Sequence, residues 1–118
     1  MHEVGLMSQI LEVIDEKSEG FPVARIWLEV GALSGVSIEA LEFAFQVCRE
    51  GTVCKNAFLE IIEVTGEVQC RDCGRTFETR TALASCECGS WSLQWLAGEQ
   101  LTIKRIEVQS CAPPVDAE

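Results

Sequence analysis

The chain has 118 residues, 47% hydrophobic and 24% charged, the balance of a globular protein with one modest core and room for little more. Its formal net charge is −10, with nineteen acids spread along the chain against nine bases, so a nucleic acid, which needs a Lys/Arg footprint, is disfavoured as a partner. No run approaches eighteen consecutive apolar residues, which excludes a transmembrane helix and with it a membrane role.

Residues 4–17 carry Val4, Met7, Ile10, Leu11 and Ile14 at three- and four-residue steps, which predicts an amphipathic helix that stops near Ser18, before Gly20 and Pro22. From Val23 the period falls to two. Ala24, Ile26, Leu28 and Val30 share one face, and Arg25, Trp27 and Glu29 the other, as in a strand with one buried side. After a loop at 31–35, Ser37 caps a second predicted helix whose inner face is Ile38, Leu41, Ala44, Phe45 and Cys48, ending near Gly51. Phe58 to Val64 and Leu101 to Val108 read as two further strands, the first with Glu60 and Glu63 in solvent. In the last strand the apolar phase shifts between Ile103 and Ile106, which predicts a bulge near Lys104 and Arg105. The fold class is therefore α+β, two helices on one face of a three-stranded sheet. A smaller module interrupts the sheet between Gly66 and Gly98, glycines that permit hinging. The main domain is expected over 1–65 and 98–118, and the inserted one over 66–97, with Trp91, Leu93 and Trp95 in its last strand.

The insert contains Cys70-Arg-Asp-Cys73 and Cys86-Glu-Cys88, four cysteines within nineteen residues. A C-x2-C step lets one tight turn aim two sulfurs at a common point, and Gly74 and Gly89 stand where such turns demand positive φ. The residues 74–85 between the pairs suffice for a hairpin that returns the chain to the metal. Four thiolates suit a structural zinc ion in a zinc-ribbon-like module. The one-residue gap in Cys86-x-Cys88 is tighter than the usual spacing. Iron in a rubredoxin-like carrier is the other metal that four thiolates bind. Two disulfides fit poorly, since the chain has seven cysteines and opens with no signal-peptide pattern. Cys48 fits the buried helix face. Cys54 and Cys111 have no evident role, and the overall usage is consistent with a reducing cytoplasm.

His2, the single histidine, stands beside the terminal amine. The amine, the His2 amide nitrogen and the imidazole could form fused chelate rings, with Glu3 adding a donor, and nitrogen donation of this kind suits Ni(II) or Cu(II) better than zinc. A terminal histidine that is simply exposed is the plainer alternative. With one histidine and no G-x4-G-K-[ST] phosphate loop, an enzyme is not expected.

Met1-His2-Glu3, the segment Val30-Gly31-Ala32-Leu33-Ser34-Gly35, the helix Ala40-Leu41-Glu42-Phe43-Ala44-Phe45, the cysteine pairs and the closing Ile103-Lys104-Arg105-Ile106-Glu107-Val108 together resemble the HypA/HybF family of hydrogenase maturation factors. The resemblance covers residues 1 to about 109. It implies a nickel metallochaperone that binds Ni(II) as transient cargo through His2, with Glu3 assisting, on the sheet-and-helix domain. It implies structural Zn(II) on Cys70, Cys73, Cys86 and Cys88. Its implied partners are a nucleotide-dependent nickel-inserting maturation protein and the precursor of a nickel-iron hydrogenase large subunit. An acidic residue near the start of the second helix contributes to nickel in some members, and Glu39 is the candidate here. The second cysteine pair departs from the family's C-P-x-C by one residue and the proline. A zinc-ribbon protein-interaction adaptor with no nickel role is the alternative reading.

Overall fold

The structure is a computed structural model that describes residues 2–109. Helix α1 (His2–Ser18) begins two residues before the apolar stripe, so His2 and Glu3 lie in its first turn. Its inner face buries Met7, Ile10, Leu11 and Ile14. Strand β1 (Val23–Gly31) follows, then α2 (Ile38–Cys48), whose N-cap Ser37 accepts the Ala40 N–H at 3.2 Å. That bond satisfies one of the otherwise orphaned donors of the first turn. The helix stops three residues short of Gly51, where Arg49 turns back and its guanidinium donates to the carbonyls of Lys55 and Ala57.

Strand β2 (Phe58–Val64) runs parallel to β1, a geometry that requires a crossover, and α2 supplies it. Strand β6 (Leu101–Val108) pairs antiparallel on the other side, giving the order β2-β1-β6. Register slips twice against β6. One slip, between the Trp27 and Leu28 pairings, leaves Lys104 as the extra residue, the bulge expected from the sequence. The other lies between Val23 and Arg25, and it brings Val23 rather than Ala24 into the core. Both helices cover one face of this sheet, and Phe45, Met7, Ile14, Ile26, Leu28 and Leu41 form the centre of the core.

A second, antiparallel sheet has the order β4-β3-β5, from β3 (Gly66–Cys70), β4 (Thr76–Thr79) and β5 (Leu93–Ala97). Only Thr65 separates β2 from β3, and residues 98–100 separate β5 from β6. The turn after β1 closes this neck. Gly31, Ala32 and Leu33 donate their N–H groups to the carbonyls of Gln100, Val64 and Gly98 at 2.8, 2.8 and 2.9 Å. The Leu33 side chain is buried on Gly66, where a Cβ would sit 2.4 Å from it. At Gly98 (φ +98°) a Cβ would lie 2.4 Å from the Gly66 Cα. These glycines let three chain segments pack tightly, so the physical reason for them is close approach and not free hinging.

Candidate metal centres

Two knuckles face each other at the far end of the second sheet. In the first, the end of β3 turns at Gly74 (φ +81°), whose N–H donates to the Cys70 carbonyl at 3.0 Å, while the Cys73 N–H points at the Cys70 sulfur at 3.5 Å. In the second, Gly89 (φ +95°) donates to the Cys86 carbonyl and the Cys86 N–H to that of Ser90, both at 2.8 Å. Both glycines adopt the left-handed conformation that the spacing demands, so the missing residue in Cys86-x-Cys88 is absorbed without opening the turn. Side chains cross-link the knuckles: the Ser90 hydroxyl donates to Asp72, and Arg75 pairs with Glu87.

The four sulfurs of Cys70, Cys73, Cys86 and Cys88 lie within 4.8 Å of one another. Across the two pairs, Cys70 Sγ is 3.7 Å from Cys88 Sγ and Cys73 Sγ is 3.5 Å from Cys86 Sγ. Four thiolates about 2.3 Å from one zinc ion would be separated by about 3.8 Å, so the donor set fits a tetrahedral zinc site. Cys70 and Cys86 are buried and Cys73 and Cys88 exposed, which shields the centre on one side only.

The thiols are electrostatically unequal. The Cys73 amide, helped by that of Asp72, holds the Cys70 thiol down at about 6. At Cys88 the Ser90 amide favours the thiolate, but the neighbouring Cys86 and Cys70 sulfurs outweigh it and push the thiol up to about 12. Four thiolates so close repel one another strongly, and a divalent cation is the charge that reconciles them.

On the main sheet's side of the neck, His2 is exposed on the first turn of α1, while Glu3 is buried and its carboxylate accepts the Ser37 N–H at 3.2 Å. The terminal ammonium, then the Ser37 amide, hold the Glu3 carboxyl down at about 2. The amides of His2 and Glu3 belong to the first turn of a helix, where N–H groups have no acceptor within the helix. They are therefore not committed to holding α1 together. Met1, whose amine belongs to the chelate inferred from the sequence, lies outside the described residues, as does Cys111.

Glu39 is exposed on the first turn of α2, and the cap of that helix brings the Ser37 amide to Glu3. No sequence signal marks Ser37 for that contact beyond its fitness as a cap. Among the described residues, the four cysteines form the single group of three or more side chains gathered closely enough to hold a metal ion.

Comparison with known proteins agrees with this arrangement over nearly the whole chain. The family model described as HypA, hydrogenase/urease nickel incorporation, metallochaperone, matches residues 1–108. The hydrogenase maturation factor HypA of Rippkaea orientalis is 39% identical over 110 residues, which cover 92% of this chain and 96% of the relative. That of Acidithiobacillus ferrooxidans is 41% identical over 113 residues, covering 92% of this chain and all of the relative. Among solved structures, the nickel metallochaperone HypA from Helicobacter pylori superposes with a TM-score of 0.62 at 26% identity, over 92% of this chain and 97% of that one. With the two-sheet fold, the paired knuckles and matches of this extent in hand, the chain belongs to the HypA family.

Proposed function

We propose that this chain carries Ni(II) during the maturation of nickel-iron hydrogenase, taking the ion at its amino terminus through His2 and Glu3 and holding Zn(II) permanently on Cys70, Cys73, Cys86 and Cys88. The observation that carries the reading is the exposure of His2 on the first turn of α1, in a chain of a family described by nickel incorporation. A nickel site made from an imidazole and first-turn amides has few ligands and lies open to a partner. Such a site exchanges its ion readily, whereas four thiolates on two interlocked knuckles do not.

The electrostatics of α1 bear on release. The positive end of a helix dipole opposes a bare dication, so nickel needs anionic donors, a deprotonated amide or the Glu3 carboxylate, to remain there. A partner that offers better donors would draw the ion away with little resistance. On this reading the donor protein or acceptor is a nucleotide-dependent nickel-inserting protein or the hydrogenase large-subunit precursor, and the work is done in the cytoplasm, where thiols stay reduced. On this reading the chain acts as a carrier and not as an enzyme.

Metal analysis and nickel titration of tag-free protein beside His2→Ala test the reading. Stoichiometric zinc in both proteins, with nickel bound by the unmodified chain alone through nitrogen donors, is the expected result. Equal nickel binding by the two would remove His2 from the mechanism and leave a zinc-ribbon adaptor as the better account.

A further inference from the structure

We propose, resting on the reading of the four cysteines as a zinc site, that Asp72, Arg75, Glu87 and Ser90 form a reciprocal clasp across the two knuckles. The clasp locks the ion in kinetically by pinning the two exposed ligands, Cys73 and Cys88.

The knuckles repeat one another. Asp72-Cys73-Gly74-Arg75 in the first corresponds to Glu87-Cys88-Gly89-Ser90 in the second: an acid, a ligand, a glycine at positive φ and a hydrogen-bond donor. The backbone keeps the same correspondence. The Cys70 N–H donates to the Arg75 carbonyl and the Cys86 N–H to the Ser90 carbonyl, both at 2.8 Å, and each glycine N–H returns to the first cysteine of its own knuckle. So do the sulfurs. The first cysteine of each knuckle lies against the second of the other, Cys70 beside Cys88 at 3.7 Å and Cys86 beside Cys73 at 3.5 Å. Both first cysteines are buried, and both second cysteines are exposed.

Side chains complete the pattern, because the donor of each knuckle holds the acid of the other. The Ser90 hydroxyl donates to Asp72, and Arg75 pairs with Glu87. That hydroxyl also accepts the Ser92 N–H at 3.0 Å, which fixes it in place with its proton free for Asp72. Each acid immediately precedes an exposed cysteine, so each link anchors the stretch of chain that carries that ligand. Cys70, by contrast, is held as the last residue of β3, paired with Leu93 of β5.

A metal ion leaves four thiolates by losing them in turn, beginning with a ligand that can swing into solvent. Cys73 and Cys88 lie on that side, and neither swings outward without drawing its acid away from the opposite knuckle. Groups that surround a metal's ligands fix their orientation and retain the metal. For a nickel carrier such a lock has a use, since sites separate similar divalent ions by geometry and availability more than by raw affinity.

The rate of zinc transfer from the loaded full chain to excess EDTA, followed by metal analysis, tests the clasp. Ser90→Ala and Asp72→Ala should each speed release on the order of tenfold, and the double variant no further than the faster single, since both break one link. Asp72→Asn loses the same charge as Asp72→Ala but keeps an acceptor, and should stay within about twofold of the wild type. Arg75 and Glu87 are 54% and 82% exposed, so Glu87→Ala should speed release only about twofold, an effect that high salt removes. Exchanging the two, Arg75→Glu with Glu87→Arg, should restore the slow rate. A wild-type chain that holds no zinc would overturn the zinc site and the clasp together. Full zinc in every protein with equal release rates would overturn the clasp alone, as would equal acceleration by Asp72→Asn and Asp72→Ala, which would assign the effect to charge.

Discussion

The carboxylate of Glu3 accepts the backbone N–H of Ser37 at 3.2 Å, which ties the first turn of α1 to the cap of α2. Glu3 therefore holds the first turn of α1 in place whether or not its carboxylate ever touches a metal ion. Glu3→Gln keeps an acceptor for the Ser37 amide, and Glu3→Ala leaves that donor without one. Thermal unfolding should place Glu3→Gln below the wild type, since it loses the charge that holds the Glu3 carboxyl down at about 2, and Glu3→Ala lower still, since it also loses the acceptor. Nickel titration of the same pair then separates anchoring from ligation. If the carboxylate is a ligand, both variants lose affinity; if it is only an anchor, Glu3→Gln retains it.

The neck makes a second prediction. Leu33 fills the space that the missing side chain of Gly66 leaves, and Gly98 packs against the Gly66 backbone. Leu33→Ala should cost about 2–4 kcal/mol, as a buried leucine truncation does, and it should loosen the orientation of one sheet relative to the other. Residual dipolar couplings would report that change directly. Gly98→Ala should be worse, because the new Cβ meets backbone and the residue must keep φ +98°. Unchanged couplings in Leu33→Ala would mean that the three backbone hydrogen bonds alone fix the neck.

Much of this architecture is legible in the residues, and the reason is local. The three- and four-residue steps of Met7, Ile10, Leu11 and Ile14 and the alternation of Ile26, Leu28 and Val30 record which face each element buries. The phase break between Ile103 and Ile106 records the bulge, and the C-x-x-C spacing records the first knuckle. What escapes is long-range. Nothing near Leu33 shows that it will plug a gap at Gly66, and a glycine kept for close packing looks the same in sequence as one kept for a hinge. The Glu3 to Ser37 bond joins residues 34 apart through a backbone amide, which has no sequence signature.

Zinc should stabilise the second sheet far more than the first. Sheet β4-β3-β5 buries few large apolar side chains, Val68 being the fully buried one, whereas the main sheet has a helix-covered core. A structural zinc site contributes on the order of 10 kcal/mol to such a module. Chelation, or Cys73→Ser, should therefore abolish amide protection over residues 66–97 while β1 and both helices stay protected. Hydrogen exchange read by mass spectrometry gives the answer. Protection retained over 66–97 without metal would show that hydrogen bonds and the Arg75–Glu87 and Arg80–Glu63 pairs suffice.

Cys54 provides a test of the main core that is independent of either metal. It lies in the turn before β2 but is fully buried among the core side chains, and burial, with Asp15 adding to it against the opposing Arg49, pushes its thiol up to about 11. An unfolded thiol titrates near 8.5, so the folded state favours the protonated form. Its contribution is therefore complete below about pH 8.5 and is lost as the pH rises toward 11. Cys54→Ala removes the titration and leaves a small cavity, costing about 1 kcal/mol at neutral pH. Urea midpoints measured at pH 7.5, 9 and 10.5 should show the wild type ahead at neutral pH and its lead shrinking with each step. The four cysteines of the knuckles titrate in both proteins and cancel in the difference. A lead that stays constant to pH 10.5 would mean that water reaches the Cys54 thiol in the folded chain.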